Sequence, residues 1–366
     1  MKTIARNIFK YINYIVIAAL LLSYLSVFVS PEKIWFLSFF GLAYPFLLIT
    51  NIIFIFFWLY RKKKLFLFSL IAILLGWNNL SSVIQTPLVR KNNKIEKNKI
   101  EKKIKIISFN VRLFDLYKWT KSEDAYIEII NFIHKEAPDV ICFQEFYTNS
   151  TNLKLEKILN HLKNTKYHHI EYSLKSDNNS SYGIATLSKY PIIEKGKILY
   201  KNTTNLSIYS DIRAHGKIIR IFNNHLQSIR FKKENYYFLK NSKYFSDNKK
   251  FEEIKDISFR LKDAFAKRAQ QADILSKHIK NTPYPTIVCG DFNDTPLSYT
   301  YHKIKANLND AFVNSGSGLG TTYTGSFPSY RIDYFLYSDD FNAQNYKVPH
   351  IRLSDHFPII CEFVIK

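Results

Sequence analysis

Apolar residues are distributed in two ways along this chain of 366 residues. Before residue 86 they form three nearly unbroken stretches, 11–29, 34–60 and 65–84. A helix needs about 20 apolar residues to cross the hydrocarbon core, so each stretch is long enough to span. From residue 104 the pattern changes to short β-branched and aromatic runs separated by helical periodicity, which is the pattern of an α/β domain. Strands are predicted over 104–110, 139–145, 183–188, 286–290, 331–337 and 356–365. A hairpin is predicted from 208–215 and 217–226 through Gly216. Helices are predicted over 123–136, where Pro138 stops the element, over 153–163, and over 259–279.

Charge separates the apolar part into sides. Lys2, Arg6 and Lys10 precede the first stretch, and Arg61, Lys62, Lys63 and Lys64 divide the second from the third. The loop 30–33 carries only Lys33 against Glu32, the one acid before residue 86. The positive-inside rule then puts the N-terminus and the 61–64 cluster in the cytoplasm, and three crossings deliver the rest outside. The lysine-rich stretch 90–105 would favour the inside, but it leads into a long domain of the kind that escapes the rule. A cleaved signal peptide fits less well, because no small-residue cleavage site follows the first stretch and two more spans come directly after. The expected division is a three-span anchor over 1–85, a solvated lysine-rich linker over 86–102 and a catalytic domain over 103–366. The expected location is a bacterial inner or plasma membrane with the catalytic domain extracytoplasmic.

Composition adds less. A formal net charge of +22 invites a nucleic acid or an anionic membrane as partner. Lys, Asn, Ile, Phe and Tyr are abundant while Gly and Arg are scarce, which is also how a low-GC genome biases its proteins, so charge alone names no substrate. Cys142, Cys289 and Cys361 each lie in an apolar run and no CxxC pair exists. Structural zinc and a disulfide framework are therefore not expected, and buried inert thiols are. One segment, 228–257, is a basic, aromatic-rich insertion that reads as a substrate-facing flap, a membrane-surface contact or a solvated lobe.

Polar residues recur where the strand patterns end. Ser108-Phe109-Asn110-Val111-Arg112 closes the first strand, Gln144-Glu145 the second and Asn223-Asn224-His225-Leu226 a later one. Gly290-Asp291-Phe292-Asn293-Asp294 follows a buried run, Arg331-Ile332-Asp333-Tyr334 opens another, and Ser354-Asp355-His356-Phe357-Pro358 precedes the last. Each alone has an ordinary reading as a solvated acid, a tight turn or a common dipeptide. Six in one order along one domain exceed coincidence. A phosphoester is anionic and resists hydroxide, so its hydrolysis needs charge neutralisation, an activated water and a proton for the leaving oxygen.

In that order the six segments resemble the endonuclease/exonuclease/phosphatase superfamily, over roughly residues 103–366. The resemblance implies a four-layer α/β sandwich of two packed mixed β-sheets flanked by helices, here preceded by three transmembrane helices. It also implies Mg²⁺ or Mn²⁺ bound by Glu145 with Asn110 and Asp355. In that scheme Asp291 orients or deprotonates the attacking water and Asn293 holds the phosphate. His356 contacts the phosphate, Asp333 fixes its tautomer, and His225 serves as leaving-group acid or phosphate ligand. Where some family nucleases carry an acid two residues after the first Asn, this chain has Arg112. That argues against a second metal and places a cation near substrate phosphate. Tyr182-Gly183 and Ser188-Lys189-Tyr190-Pro191 also match the family and read as structural.

The expected function is thus a membrane-anchored, metal-dependent phosphodiesterase with nuclease-like activity. Phospholipase-like, sphingomyelinase-like or phosphomonoesterase action at the membrane surface is the alternative, and a non-catalytic binding module the second. The partners implied are a nucleic acid or phospholipid head group and the lipid bilayer, with no protein partner.

Overall fold

The computed structural model describes residues 2–86, 102–120, 122–176, 179–325 and 328–366. Residues 87–101, nearly all of the expected linker, lie outside the described residues. Among the described residues twelve strands form two six-stranded sheets. In chain order they are β1 (Lys103–Asn110), β2 (Val140–Thr148), β3 (Tyr167–Lys175), β4 (Ser181–Ser188), β5 (Ile192–Leu199), β6 (Leu206–Ala214), β7 (Lys217–His225), β8 (Thr286–Asp291), β9 (Asn309–Asp310), β10 (Asp333–Tyr337), β11 (Phe341–Lys347) and β12 (Ile359–Ile365). The first sheet runs β11-β12-β1-β2-β4-β3 and the second β5-β6-β7-β8-β10-β9. Only β1–β2 and β7–β8 pair in parallel; the other pairings are antiparallel, so both sheets are mixed.

Alternation along each strand explains the layers. Ile104 and Ile106 of β1 and Val140 and Cys142 of β2 face the core between the sheets, with Ile221, Cys289 and Phe335 opposite. Ile107, Phe109, Ile141 and Phe143 point the other way, toward helices α5 (Ala125–Glu136) and α6 (Leu155–His161). Strands buried on both faces read as continuous apolar runs, as these do. On the second sheet Phe222, Val288 and Leu336 meet Ala272, Leu275 and Tyr301 of the outer helices. The four-layer sandwich expected from sequence is what forms. Cys142, Cys289 and Cys361 are free and buried in the central layer, as expected.

Six elements were not anticipated: the edge strands β3, β9 and β11, and helices α7 (Lys233–Asn241), α9 (Tyr299–Lys305) and α10 (Ala311–Ser315). Sequences such as FNAQNYK in β11 are too polar to announce a strand. The helix expected from residue 259 is α8 (Asp247–Lys280), which begins twelve residues earlier. Segment 228–257 is therefore α7 and the first turns of α8 packed together.

Ahead of the sandwich stand α1 (Lys2–Leu25), α2 (Leu37–Tyr60), α3 (Phe66–Leu75) and α4 (Trp77–Val83). Among the described residues two helices, Asn7–Leu25 and Leu37–Tyr60, are long and apolar enough to cross a membrane, and α3 with α4 passes the same test as a bent pair. Inside the bundle Asn13 Nδ2 donates to Ser69 Oγ at 2.8 Å, and Trp58 Nε1 donates to Asn13 Oδ1 at 2.8 Å. Such contacts tie helices together where apolar burial cannot. The third expected span is not one helix. It breaks at Gly76 with a 71° bend between α3 and α4, and ten residues rise only about 15 Å. A Cβ at Gly76 would lie 2.2 Å from Tyr24 Cζ, so this close approach needs glycine.

The sandwich is docked on the bundle. Ser26 Oγ donates to Leu297 O at 3.0 Å, Tyr330 OH to Leu42 O at 3.1 Å, and buried Arg331 Nη2 to Ser82 O at 2.7 Å. Gln85 forms a β-bridge with Gly318, and Phe39 packs edge-on against Phe265. All these contacts involve the end of the bundle opposite the 61–64 basic cluster.

Gly183, read from sequence as structural, allows β4 to approach β3: a Cβ there would lie 2.0 Å from Glu171 O. Gly183→Ala should destabilise the protein by roughly 2 kcal/mol or more, measured as a lowered unfolding midpoint. An unchanged midpoint would contradict the packing described.

Candidate active site

Strand pairing alone brings the polar segments together. In the parallel pair β1–β2, Asn110 is opposite Gln144. In β7–β8, His225 is opposite Asp291, and across β10–β8 Asp333 is opposite Asp291. Carboxyl ends of parallel strands are where α/β sheets bind ligands. Two local irregularities aim the side chains. β2 carries a bulge between Phe143 and Phe146, with Glu145 inside it at φ +49°, and Asn293 is left-handed at φ +53°. Such conformations cost of order 1 kcal/mol or more each and concentrate at functional sites. At Gly290 φ is +121° and a Cβ would lie 2.0 Å from Asn224 O, so only glycine lets β8 close on β7 ahead of Asp291.

All nine residues singled out from sequence converge. Arg112, Glu145, Asp291, Asn293, Asp355 and His356 line one cavity of about 290 Å³. Asn110 Nδ2 joins the two sheets, donating to Glu145 Oε1 at 3.3 Å and Asp291 Oδ2 at 3.0 Å. Asn293 clamps Asp291 from the other side, its backbone N–H donating to Oδ1 at 2.8 Å and its Nδ2 to Oδ2 at 3.1 Å. His356 Nδ1 meets Asp333 Oδ2 at 2.9 Å, and its Nε2 lies 3.7 Å from Asp291 Oδ2. His225 Nε2 lies 3.7 Å from Glu145 Oε1 and 3.9 Å from Asp291 Oδ2, without a hydrogen-bond partner. An orphaned buried nitrogen beside two carboxylates is a group available to a ligand.

The electrostatics divide the roles. Burial pushes the Asp291 carboxyl up to about 6, with Asp333 adding to it and His356 and His225 opposing. Burial works against a charged His356, yet Asp333 and Asp291 together hold its imidazole well above the ordinary value. Burial lowers His225 and keeps it neutral despite Asp291. The Glu145 carboxyl is raised by burial first and by Asp355 second. One buried base, one cationic and one neutral imidazole therefore face the same space.

Two groupings could hold a divalent cation. Glu145 and Asp355, with Asn110 adjacent, offer hard oxygens, and their mutual repulsion is what a cation relieves. Asp291, Asp333 and His356 have ligand atoms within 4.8 Å of one another, but there His356 Nδ1 is already engaged by Asp333. As placed, Asn110 turns its nitrogen to the carboxylates while its Oδ1 accepts from the Arg112 N–H at 3.0 Å; ligation would turn the amide over. Arg112 stands where a further acid could have been. Its Nε is 3.3 Å from Asp355 Oδ2 and its guanidinium stacks 4.1 Å over Trp119.

Comparison with known proteins identifies the family. The profile of the Endonuclease/Exonuclease/phosphatase family matches residues 107–356. The chain belongs to that family. Its members are hydrolases of phosphoesters and typically use a divalent metal. A domain of unknown function matches residues 6–83, and no curated protein matches the sequence. Among solved structures, an endonuclease/exonuclease/phosphatase from Bacteroides vulgatus aligns at TM-score 0.52 and 16% identity, over 72% of this chain and 99% of its own. The mannosyl-6-phosphatase of Bacteroides thetaiotaomicron aligns at TM-score 0.51 and 17% identity, over 72% and 100%. The human Nocturnin catalytic domain gives 0.50 and 18%, over 73% and 96%. At these identities the likeness is one of fold.

Two tyrosines escaped the sequence reading. Tyr323 forms a β-bridge with His356 and packs edge-on against its ring, and Tyr236 of α7 lines the same cavity. Tyr236 was visible as one aromatic of the 228–257 insertion. Tyr323 lies in a Gly- and Thr-rich loop with no sequence signal.

Replacing Asp333 by Asn removes the largest influence that keeps His356 protonated. The imidazolium should then be lost at lower pH, moving the alkaline limb of the rate profile down and lowering the maximal rate by about a hundredfold. The acidic limb, set by Asp291 near pH 6 in the unaltered protein, should move as well, because Asp333 is one of the groups that raise Asp291. A pH–rate profile checks both, and an alkaline limb that does not move would contradict the dyad.

Proposed function

We propose that the protein is a membrane-anchored, divalent-metal-dependent phosphoester hydrolase that cleaves phosphodiesters by direct water attack. The observation that carries this reading is the clamped Asp291 carboxylate, which shares one cavity with His356 and lies 3.9 Å from His225 Nε2. Asp291, held by three hydrogen bonds from Asn110 and Asn293, takes the proton of the attacking water as its oxygen bonds to phosphorus. His356, kept protonated by Asp333, donates to a non-bridging oxygen whose negative charge grows. The P–O bond to the ester oxygen breaks and the departing alkoxide takes its proton from solvent water, while neutral His225 serves as a hydrogen-bonding ligand to the phosphate. Arg112, braced by Trp119 and Asp355, offsets phosphate charge from the cavity rim. Glu145 and Asp355, with Asn110, would hold Mg²⁺ or Mn²⁺, which when bound would supply positive charge against the anionic phosphoester.

α1 and α2 support the anchor, and their charge asymmetry supports an extracytoplasmic catalytic domain. The sandwich lies at the end of the bundle away from the basic 61–64 cluster, as that orientation requires. A second, nuclease-like reading is favoured by a cleft of about 1640 Å³ beside the site that includes Lys135, Lys233, Lys240 and Arg352.

The full chain in detergent should hydrolyse bis-p-nitrophenyl phosphate with Mg²⁺ or Mn²⁺ and stop when the metal is chelated. Glu145→Gln should lower the rate by about two orders of magnitude or more with an unchanged unfolding midpoint. A folded chain inert with every divalent metal would favour a binding module instead. A reporter fused after Lys366 should read as extracytoplasmic, and a cytoplasmic signal would overturn the orientation.

A further inference from the structure

One wall of the catalytic cavity belongs to the anchor. Leu42 of α2 lines the same 290 Å³ space as Glu145, Asp291 and His356. It lies five residues into α2, about 7 Å along the helix axis from its start, so this wall is at the depth of a membrane interface. Ile229, Phe231, Leu261 and Phe265 continue the apolar lining. Leu42 and Phe39 join these residues in one cluster with the 228–257 segment. A junction that served only to hold anchor and sandwich together would be filled by its own side chains, as protein interiors are. Here apolar side chains of a span and of α8 share a cavity with Asp291 and His356, beside the polar Ser228, Arg230 and Arg268.

The surroundings match a lipid boundary. Trp35 and Phe36, just before α2, are 40% and 49% exposed, and Lys262 Nζ stands 5.1 Å over the Trp35 ring. On α8, Phe251 and Phe259 are 70% and 67% exposed among lysines. Amphipathic surfaces of this kind lie in the headgroup region. The opposite side of the cavity differs in character. Arg112, Tyr236, Tyr323 and Asp355 are shared with the large basic cleft, which has room and charge for a polar, anionic group.

Resting on the hydrolase reading above, we propose that the substrate is a bilayer-resident amphiphile. Its apolar chain lies in the groove between Leu42 and Leu261, its phosphoester meets Asp291 and His356, and its polar head occupies the basic cleft. A freely soluble substrate such as a nucleic acid has no use for the apolar half of this cavity.

The test compares p-nitrophenyl hexadecyl phosphate with p-nitrophenyl methyl phosphate, using the full chain in phosphatidylcholine nanodiscs with Mg²⁺. In both, water adds to phosphorus and p-nitrophenolate leaves, so only the chain differs. The hexadecyl ester should show a kcat/KM at least about tenfold higher, since each buried methylene contributes severalfold. Leu42→Trp, which fills the groove from the anchor side, should bring the ratio of the two substrates toward unity. Leu261→Trp should do the same from the α8 side, should the first variant fold poorly. Equal turnover of both esters by the unaltered protein would overturn the inference and leave the hydrolase reading intact. A preference that survives in both variants would also overturn it, because the gain would then come from partitioning into the bilayer. So would an oligonucleotide cleaved with a higher kcat/KM than the hexadecyl ester. Failure to hydrolyse either ester with Mg²⁺ or Mn²⁺ would sink both readings together.

Discussion

Two parallel strand pairs, one in each sheet, are stacked so that their carboxyl ends open on the same side, and the site depends on that placement. In β1–β2 the pairing sets Asn110 beside Gln144; in β7–β8 it sets His225 beside Asp291. Buried amides join the two pairs. Gln144 Nε2 donates to Asn223 Oδ1 at 2.7 Å, and Asn110 Nδ2 donates to Asp291 Oδ2 at 3.0 Å. In a low-dielectric interior such bonds fix one relative position of the sheets, because a slip would strand several polar groups at once. Asp291 is only 1% exposed, and a carboxylate so deep is tolerable only with its clamp of donors and two histidines nearby. The same desolvation that makes the site costly to fold raises Asp291 to about 6 and keeps His225 neutral.

The N-terminal helices do more than precede the sandwich. Tyr330 and Arg331, which lead into β10 and Asp333, donate to backbone carbonyls of Leu42 and Ser82 in the bundle. A Cβ at Gly41 would lie 2.2 Å from Leu297 O, so α2 meets the sandwich almost backbone to backbone. Packing this close holds the catalytic cavity at a fixed height and attitude relative to α2. The 228–257 segment, open to three readings from sequence, packs its apolar residues against α2 and α8 and lends Tyr236 to the cavity.

Much of this was legible in the chain, for a physical reason. A strand buried on both faces is an apolar run, so its polar end is easy to see, and Asn110, Glu145, His225 and Asp291 stood out together because such ends recur in one order along the domain. Asp333, Asp355 and His356 stood out for the same reason at strand beginnings. Elements held by tertiary context were not legible. β3 and β11 are polar edges that exist because a partner strand offers hydrogen bonds. The bend at Gly76 depends on the Tyr24 ring, 52 residues earlier. Tyr323 reaches the site through a loop whose sequence is ordinary, and the junction of Leu42 with the cavity is a product of docking that no local pattern encodes.

The central claim, that Glu145 and Asp355 hold the catalytic cation while Asp291, Asp333 and His356 move protons and bind phosphate, is tested most directly by metal binding without substrate. Calorimetric titration of Mn²⁺ into the full chain in nanodiscs should show one ion per chain, lost in Glu145→Gln and retained in Asp333→Asn. Binding retained in Glu145→Gln and lost in Asp333→Asn would move the cation to the Asp291–Asp333–His356 grouping and contradict the account.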